Sequence, residues 1–329
     1  MPLLVGCGED DLNPAPRSEA TTYDRDRFEE GLVAVDQWLA DGDATKAEVI
    51  AARLVELDPT SIAALQAHGN CLLIMGSLAN QNGDDDYARS LGVRADEAFQ
   101  AALIQSRGVE PAALLHQSAL AAAATSDLDR ALTLHIRAAE VDPTNPTHPI
   151  FAANTLTRLE LPREAIIWFD RAIATAPDEP WAWAGRAECL RQLSSFDEAV
   201  SAIRTARARS VARGTESGFP FRVAEARILR EAGQAKLAAD LLFAVDSTEH
   251  TRESTSELAA ACTAIDEHRR AAEAWERFNL RNQGDLDSMM EAARCWIRAG
   301  QPEQAASWLN LAETAGASST LIDELRRGE

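Results

Sequence analysis

One recurring residue constrains this chain more than any other feature. Alanine stands at positions 47, 95, 131, 165, 199, 238, 271 and 305, at intervals of 48, 36, 34, 34, 39, 33 and 34. A second series runs ahead of it: Val35, Gly69, Ala119, Ala153, Ala187, Ala226, Ala259 and Ala293. Seven of these eight are Gly or Ala, as expected where a neighbouring helix crosses closely. Bulky residues follow the marker alanine by four positions at Phe99, Phe169, Ile203, Leu242, Trp275 and Leu309, on one helix face; Ala51 and His135 break the rule. A helical pair of this size has an apolar face that it cannot bury alone, so successive copies must stack.

Loop-forming residues punctuate the period. Asp58-Pro59, Asp142-Pro143 and Ala176-Pro177 end one repeat before the next, because the residue before proline avoids the helical region. Pro162 and Pro302 stand where a second helix starts, a position that tolerates a missing N–H. The 48-residue interval holds about 14 extra residues near 80–94, and the 39-residue interval about five near 214–220. Both are expected to form surface loops, where insertions cost little entropy. At the end of the chain, Ser319 or Thr320 caps a short helix with Leu321, Ile322 and Leu325 on one side.

The best-formed copies lie between Asn145 and Arg213. Ala165, Phe169, Ala172 and Pro177 follow a helix carrying Ala152, Ala153 and Leu156; then Trp183, Ala187 and Leu190 precede Ala199, Ile203 and Ala206. This pattern resembles the tetratricopeptide repeat, whose signature runs W-x2-L-G-x2-Y, then A-x3-F, then P. The resemblance covers about residues 23–319. It implies an all-α, right-handed solenoid of about eight helix-turn-helix repeats with a C-terminal capping helix.

Composition agrees with packed short helices: 46% of residues are hydrophobic and only 5% aromatic. Acidic residues outnumber basic ones 52 to 32, a net charge of −20. Such a field repels phosphate backbones and argues against nucleic acid as a partner. Cys71, Cys189, Cys262 and Cys295 fall in helices of different repeats without metal-ligand spacing and read as small core residues. No apolar run approaches the roughly 20 residues needed to span a bilayer.

Two domains follow: a flexible tail over 1–22 and a solenoid over 23–329. Within the tail, Leu4-Val5-Gly6-Cys7 resembles a bacterial lipobox, which makes Cys7 a candidate lipidation site and the acidic segment after it a tether. Met1 to Gly6 is shorter than the apolar stretch of about 7–15 residues that a signal needs and lacks a basic start. Two locations stay open: the cell envelope, reached by a lipid anchor, or the cytoplasm.

Nothing in the sequence points to an enzyme. The six histidines are scattered, and no phosphate loop, HExxH or GxSxG occurs. No cofactor is expected, and the acidic Asn80–Asp86 segment reads as solvated rather than metal-binding. In the resembling family, leading-helix residues beside the small marker face the peptide groove. Three before and one, four and five after each small residue of the last five repeats, these positions include Asn154, Arg158, Arg191, Arg227, Arg230, Arg294 and Arg298, opposed by Glu188 and Glu231. Arginine near a helix C-terminus also complements the macrodipole, a purely structural role. Trp181 reads as core or as an exposed aromatic at the groove mouth, and core beside Trp183 is the expectation taken. The resulting expectation is a non-enzymatic scaffold whose groove takes a protein or peptide segment, acidic ones in particular. The alternative is a structural or assembly lipoprotein of a bacterial envelope that meets its partners through its ends.

Overall fold

A computed structural model describes residues 17–106, 108–109, 111–214, 219–245 and 249–327, with side chains from residue 27 onward. Among the described residues there are 17 α-helices and no strand. The chain divides into two compact units, Met1–Pro143 and Thr144–Glu329. Unit 1 holds α1 (Arg17–Ala40), α2 (Ala44–Leu57), α3 (Ile62–Gln81), α4 (Asp85–Gln105), α5 (Ala112–Ala124) and α6 (Leu128–Val141). Unit 2 holds α7 (Thr147–Arg158), α8 (Pro162–Thr175), α9 (Pro180–Gln192), α10 (Phe196–Ala212), α11 (Phe219–Glu231), α12 (Ala235–Phe243), α13 (Arg252–Thr263), α14 (His268–Arg281), α15 (Leu286–Arg298), α16 (Pro302–Thr314) and α17 (Ser319–Arg327). Each unit is a stack of helix pairs, three in the first and five in the second, and α17 closes the second.

Both marker series are core. The eight marker alanines are at most 3% exposed, and all the bulky partners are buried, Phe99 and Phe169 completely. His135, which takes the bulky position of its repeat, is also buried, its Nδ1 3.4 Å from that of His116. Cys71, Cys189, Cys262 and Cys295 are buried free thiols, and burial pushes the thiols of Cys71, Cys262 and Cys295 up to about 11. On α17, Ile322 and Leu325 pack with Met289, Met290 and Leu309, the expected cap, while Leu321 stays exposed.

The turn inside each pair follows one rule. A residue with positive φ stands five before the marker alanine at Gly42, Ser126, Glu160, Ser194, Gly233, Asp266 and Gly300. The amide that follows it bonds back to a carbonyl five residues earlier, as in Asp43→Trp38 at 2.8 Å, Leu161→Leu156 at 2.9 Å and Gln301→Trp296 at 3.0 Å. This is a Schellman-type C-cap, and it satisfies carbonyls that the last helical turn leaves bare. An aspartate then caps the next helix in three pairs, through Asp43, Asp84 and Asp127, whose side chains accept from Lys46, Tyr87 and Arg130 backbone N–H groups.

The expected loop at 80–94 is not a loop. Only Asn82–Asp84 separates α3 from α4, and Gly83, with φ of 79°, makes the turn. At 20 and 21 residues, these helices each exceed α5 and α6, at 13 and 14, by seven. Seven residues make almost two full turns, so adding them to both partners leaves the packing stripe on the same side. Ala79, Ala88 and Leu91 are buried in the added part, and a Cβ on Gly76 would lie 3.4 Å from the Ala88 carbonyl oxygen. The excess therefore extends the core. Its apolar length also makes α3 long enough to cross a bilayer by length and composition, against expectation; here it is a core helix packed on α2, α4 and α5.

Near 214–220 the expected loop is likewise shortened, since α10 runs to Ala212 and Phe219 and Pro220 already belong to α11. At the other end α1 starts at Arg17, inside the segment expected as a flexible tail over 1–22. Cys7 lies outside the described residues.

Candidate binding face

The leading helices of unit 2 are α7, α9, α11, α13 and α15, and the seven expected groove residues distribute over four of them. Asn154 and Arg158 are exposed on α7. The other five divide into two groups with different surroundings.

Arg191, Arg227 and Arg230 are engaged within the protein. Arg191 grips Glu188 through two bonds of 2.8 and 2.6 Å and reaches Glu231 on α11 at 2.6 Å. Arg230 donates to Glu257 on α13 at 2.5 Å, and Arg227 donates to Glu253 at 2.7 Å. Hydrogen bonds to Glu188 and Glu231 hold the Arg191 guanidinium well above its ordinary value, outweighing burial. Burial alone would raise the Glu188 carboxyl; Arg191 and Gln192 outweigh it and hold it below its usual range.

Three of the six arginines counted against Glu188 and Glu231 are thereby answered by carboxylates. Glu253 and Glu257 stand six and two residues before Ala259, not at the counted positions 256, 260, 263 and 264, so a count along one face of each helix misses them. With Glu188 and Glu231 they set four carboxylates against three guanidiniums. Because a carboxylate holding a bidentate arginine has little capacity left for another cation, and the arginine little for another anion, the network braces α9, α11 and α13 rather than presenting free charge.

Further along, α13 and α15 border an open trough of about 660 Å³. The counted positions on α13 are Ser256, Ala260, Thr263 and Ala264, all four lining it, and their small size is what leaves the space. On α15, Arg294 pairs with Glu291, whereas Arg298 lines the trough, is exposed, and forms no ion pair with any described residue. Arg252 lies at the rim, tied to Asp285 and, at 3.0 Å, to Asp287. Of the seven expected residues the trough thus takes Arg298; the small residues were legible only as missing bulk.

Trp181 corrects a second expectation. It is 60% exposed, with its ring centroid 4.9 Å from that of buried Phe221 on α11. Trp183 is half-buried and donates its indole N–H to the Pro177 carbonyl at 2.9 Å. Among the described residues, no group of three or more metal-ligating side chains occurs.

No protein-family model matches the sequence, and no curated protein matches it. Solved structures do. A tetratricopeptide repeat protein from Parabacteroides merdae is 16% identical, with a TM-score of 0.52 over 79% of this chain and 97% of its own. Pseudomonas aeruginosa pilF is 14% identical, with a TM-score of 0.51 over 70% of this chain and 96% of its own. Identities this low speak of the fold alone, and the fold, with its paired helices and recurrent caps, is that of a tetratricopeptide-repeat solenoid.

Proposed function

We propose that this protein is a non-enzymatic scaffold that holds an extended segment of another protein in the trough between α13 and α15. One observation supports this reading above the rest. A concavity of about 660 Å³ runs over two successive leading helices, floored by small side chains and bordered by Arg298, which forms no ion pair with a described residue. A helical scaffold of this kind binds through a preformed surface with little rearrangement. The preference for acidic segments rests on Arg298 in the trough and not on Arg191, Arg227 or Arg230, whose charges are answered internally. Cys7 and the envelope-assembly alternative draw support only from the Leu4-Val5-Gly6-Cys7 match.

The test is site-specific photo-crosslinking in the native cell. A photoreactive residue at Ala260 should give a discrete protein adduct that the same residue at exposed Ser307, on α16, does not. Adding Arg298→Glu should remove the adduct if its partner segment is acidic, and Ala264→Trp, which fills the trough, should remove it whatever the segment's charge. An adduct at Ala260 that survives Ala264→Trp in a folded protein would refute the trough as the binding face.

A further inference from the structure

A second, smaller cavity lies in the same unit and uses none of the trough's residues. It has a volume of about 240 Å³ and is walled by the end of α12, the start of α13 and the last two turns of α14. Phe243, Leu258 and Phe278 give it apolar sides; His250 and Thr255 come from the entry to α13. Arg277 and Arg281, one turn apart on α14, line it as well.

The charge of this cavity is unusual for the chain. No Asp or Glu is among the described residues that line it, although the chain carries a net charge of −20. Neither guanidinium forms an ion pair with a described residue, whereas Arg270 on the same helix reaches Glu267 and Asp240. Arg281 makes one long bond, 3.4 Å, to the His250 carbonyl, and the Thr255 hydroxyl is already committed to the Thr251 carbonyl at 2.8 Å. Burial first, and then Arg281 and Arg277 against the opposing pull of Glu249, push the His250 imidazole down. Two cations without an ion pair to any described residue, beside a cavity with apolar sides, form a site that an anion would complete. An exposed arginine needs no partner, since water solvates it; it is the pairing of two of them with a recess of hydrocarbon walls that specifies a ligand.

We propose that this cavity binds a small hydrophobic carboxylate, its anionic group between Arg277 and Arg281 and its hydrocarbon body against Phe243, Leu258 and Phe278. The volume lies below the roughly 300 Å³ at which pockets for drug-sized ligands begin, so the buried part is about the size of one amino-acid residue. Guanidinium recognises carboxylate through two parallel N–H donors, which adds geometric selectivity to charge. The same chemistry arises from a free small acid or from the terminal carboxylate of a chain.

The experiment uses the full chain and N-acetyl-leucine, with N-acetyl-leucinamide as the uncharged control, read by ligand-observed saturation-transfer NMR and calorimetry. The acid should bind, the amide should bind at least tenfold more weakly, and the affinity of the acid should fall as ionic strength rises. R277Q/R281Q should weaken the acid at least tenfold while leaving the melting temperature unchanged, since both side chains are exposed. Equal binding of acid and amide, no binding of either, or undiminished binding by the folded double variant would overturn the proposal. Should the double variant not fold, the acid-to-amide ratio and the salt dependence of the wild-type chain decide alone. A hexapeptide ending in leucine then separates the sources: tenfold tighter binding than N-acetyl-leucine assigns the carboxylate to a chain terminus, and equal binding assigns it to a free acid.

Discussion

The two units differ in the ion pairs that tie their leading helices together. In unit 1 the ties join trailing helices: Arg94 on α4 reaches Glu48 on α2 at 2.8 Å, and Arg130 on α6 grips Asp96 on α4 through bonds of 2.7 and 2.8 Å. In unit 2, Arg191, Arg230 and Arg227 join the leading helices α9, α11 and α13, while Arg270 on α14 and Trp308 on α16 add ties between trailing helices, to Asp240 and Glu276. The apolar cores are built alike, from a marker alanine, a small leading residue and a bulky partner. Burial of apolar surface sets the repeat, therefore, and charge pairs decide which face of it is stiffened. Where a face is spent on internal pairs it has little left for a partner. Beyond α13 the ladder continues at the rim, through Arg252 to Asp285 and Asp287, and the open trough of unit 2 lies beside it.

The largest effect that tests this comparison lies in the long hairpin of unit 1. Leu91 belongs to the extra turns of α4, is fully buried and packs with Leu72, Phe99 and Leu114. Leu91→Ala should cost about 2–5 kcal/mol, as for any core leucine, measured by urea denaturation. A loss under about 1 kcal/mol would return the segment to the status of a surface insertion.

Next come two glycines that lie under phenylalanine rings. A Cβ on Gly185 would lie 2.2 Å from Cζ of Phe169, and one on Gly69 would lie 2.6 Å from Cζ of Phe99. Neither ring has room to retreat, since both are fully buried. Alanine at either site should cost about 1–3 kcal/mol, more at Gly185 where the overlap is deeper. The reverse ranking in thermal melts would show that the core of unit 1 is the tighter one.

The ladders themselves give the third comparison. Arg130→Gln leaves Asp96 with Gln100 and Arg230→Gln leaves Glu257 with Arg227 at 3.6 Å, and because these carboxylates are 14% and 8% exposed each change should cost about 1–3 kcal/mol. Arg227→Gln should cost less than about 1 kcal/mol, because Glu253 is 70% exposed and Glu257 keeps Arg230. Acid provides an independent check through Glu188, whose carboxyl lies below 4.5 when folded because Arg191 and Gln192 outweigh its burial. Its unfolded form binds protons first as pH falls, so its contribution is complete above about 4.5 and disappears as pH drops through the lower folded value. Chemical denaturation from pH 6 to 3 should show this loss in wild type and a smaller one in Arg191→Gln.

The smallest expected effect is a gain. Glu160 holds a φ of 60° at the turn position where other repeats place Gly42, Gly233 and Gly300. A left-handed conformation costs a side-chain-bearing residue about 1 kcal/mol, so Glu160→Gly should stabilise by up to about that much. No change in melting temperature would show that the turn has already relaxed its strain.

The repeat was legible because its signals are local. Small residues at Ala153 or Ala187, bulk at Phe169 or Trp275 and proline at Pro162 or Pro302 are demanded by contacts within a pair or with the next one, at fixed separations along the chain. The left-handed turns were half legible: Gly42 or Gly300 marks the conformation, whereas Ser126, Glu160, Ser194 and Asp266 adopt it with side chains that do not advertise it. The 14 additional residues near 80–94 were visible as a count, and their division into seven and seven was not, since hydrophobic periodicity continues through either a loop's flanks or a longer helix.

What the sequence determined by itself was the stack of helical pairs and its buried stripe, because hydrophobic burial at a fixed period leaves little freedom once the period is known. What only the tertiary structure decided was which charges are free. Arg191, Arg227 and Arg230 look like a ligand-binding face along their own helices and find carboxylates on the neighbouring ones, while Arg298, Arg277 and Arg281 find none among the described residues. Ion pairing depends on distances of a few ångströms between side chains from different helices, and a count of residues along one helix contains no such distance.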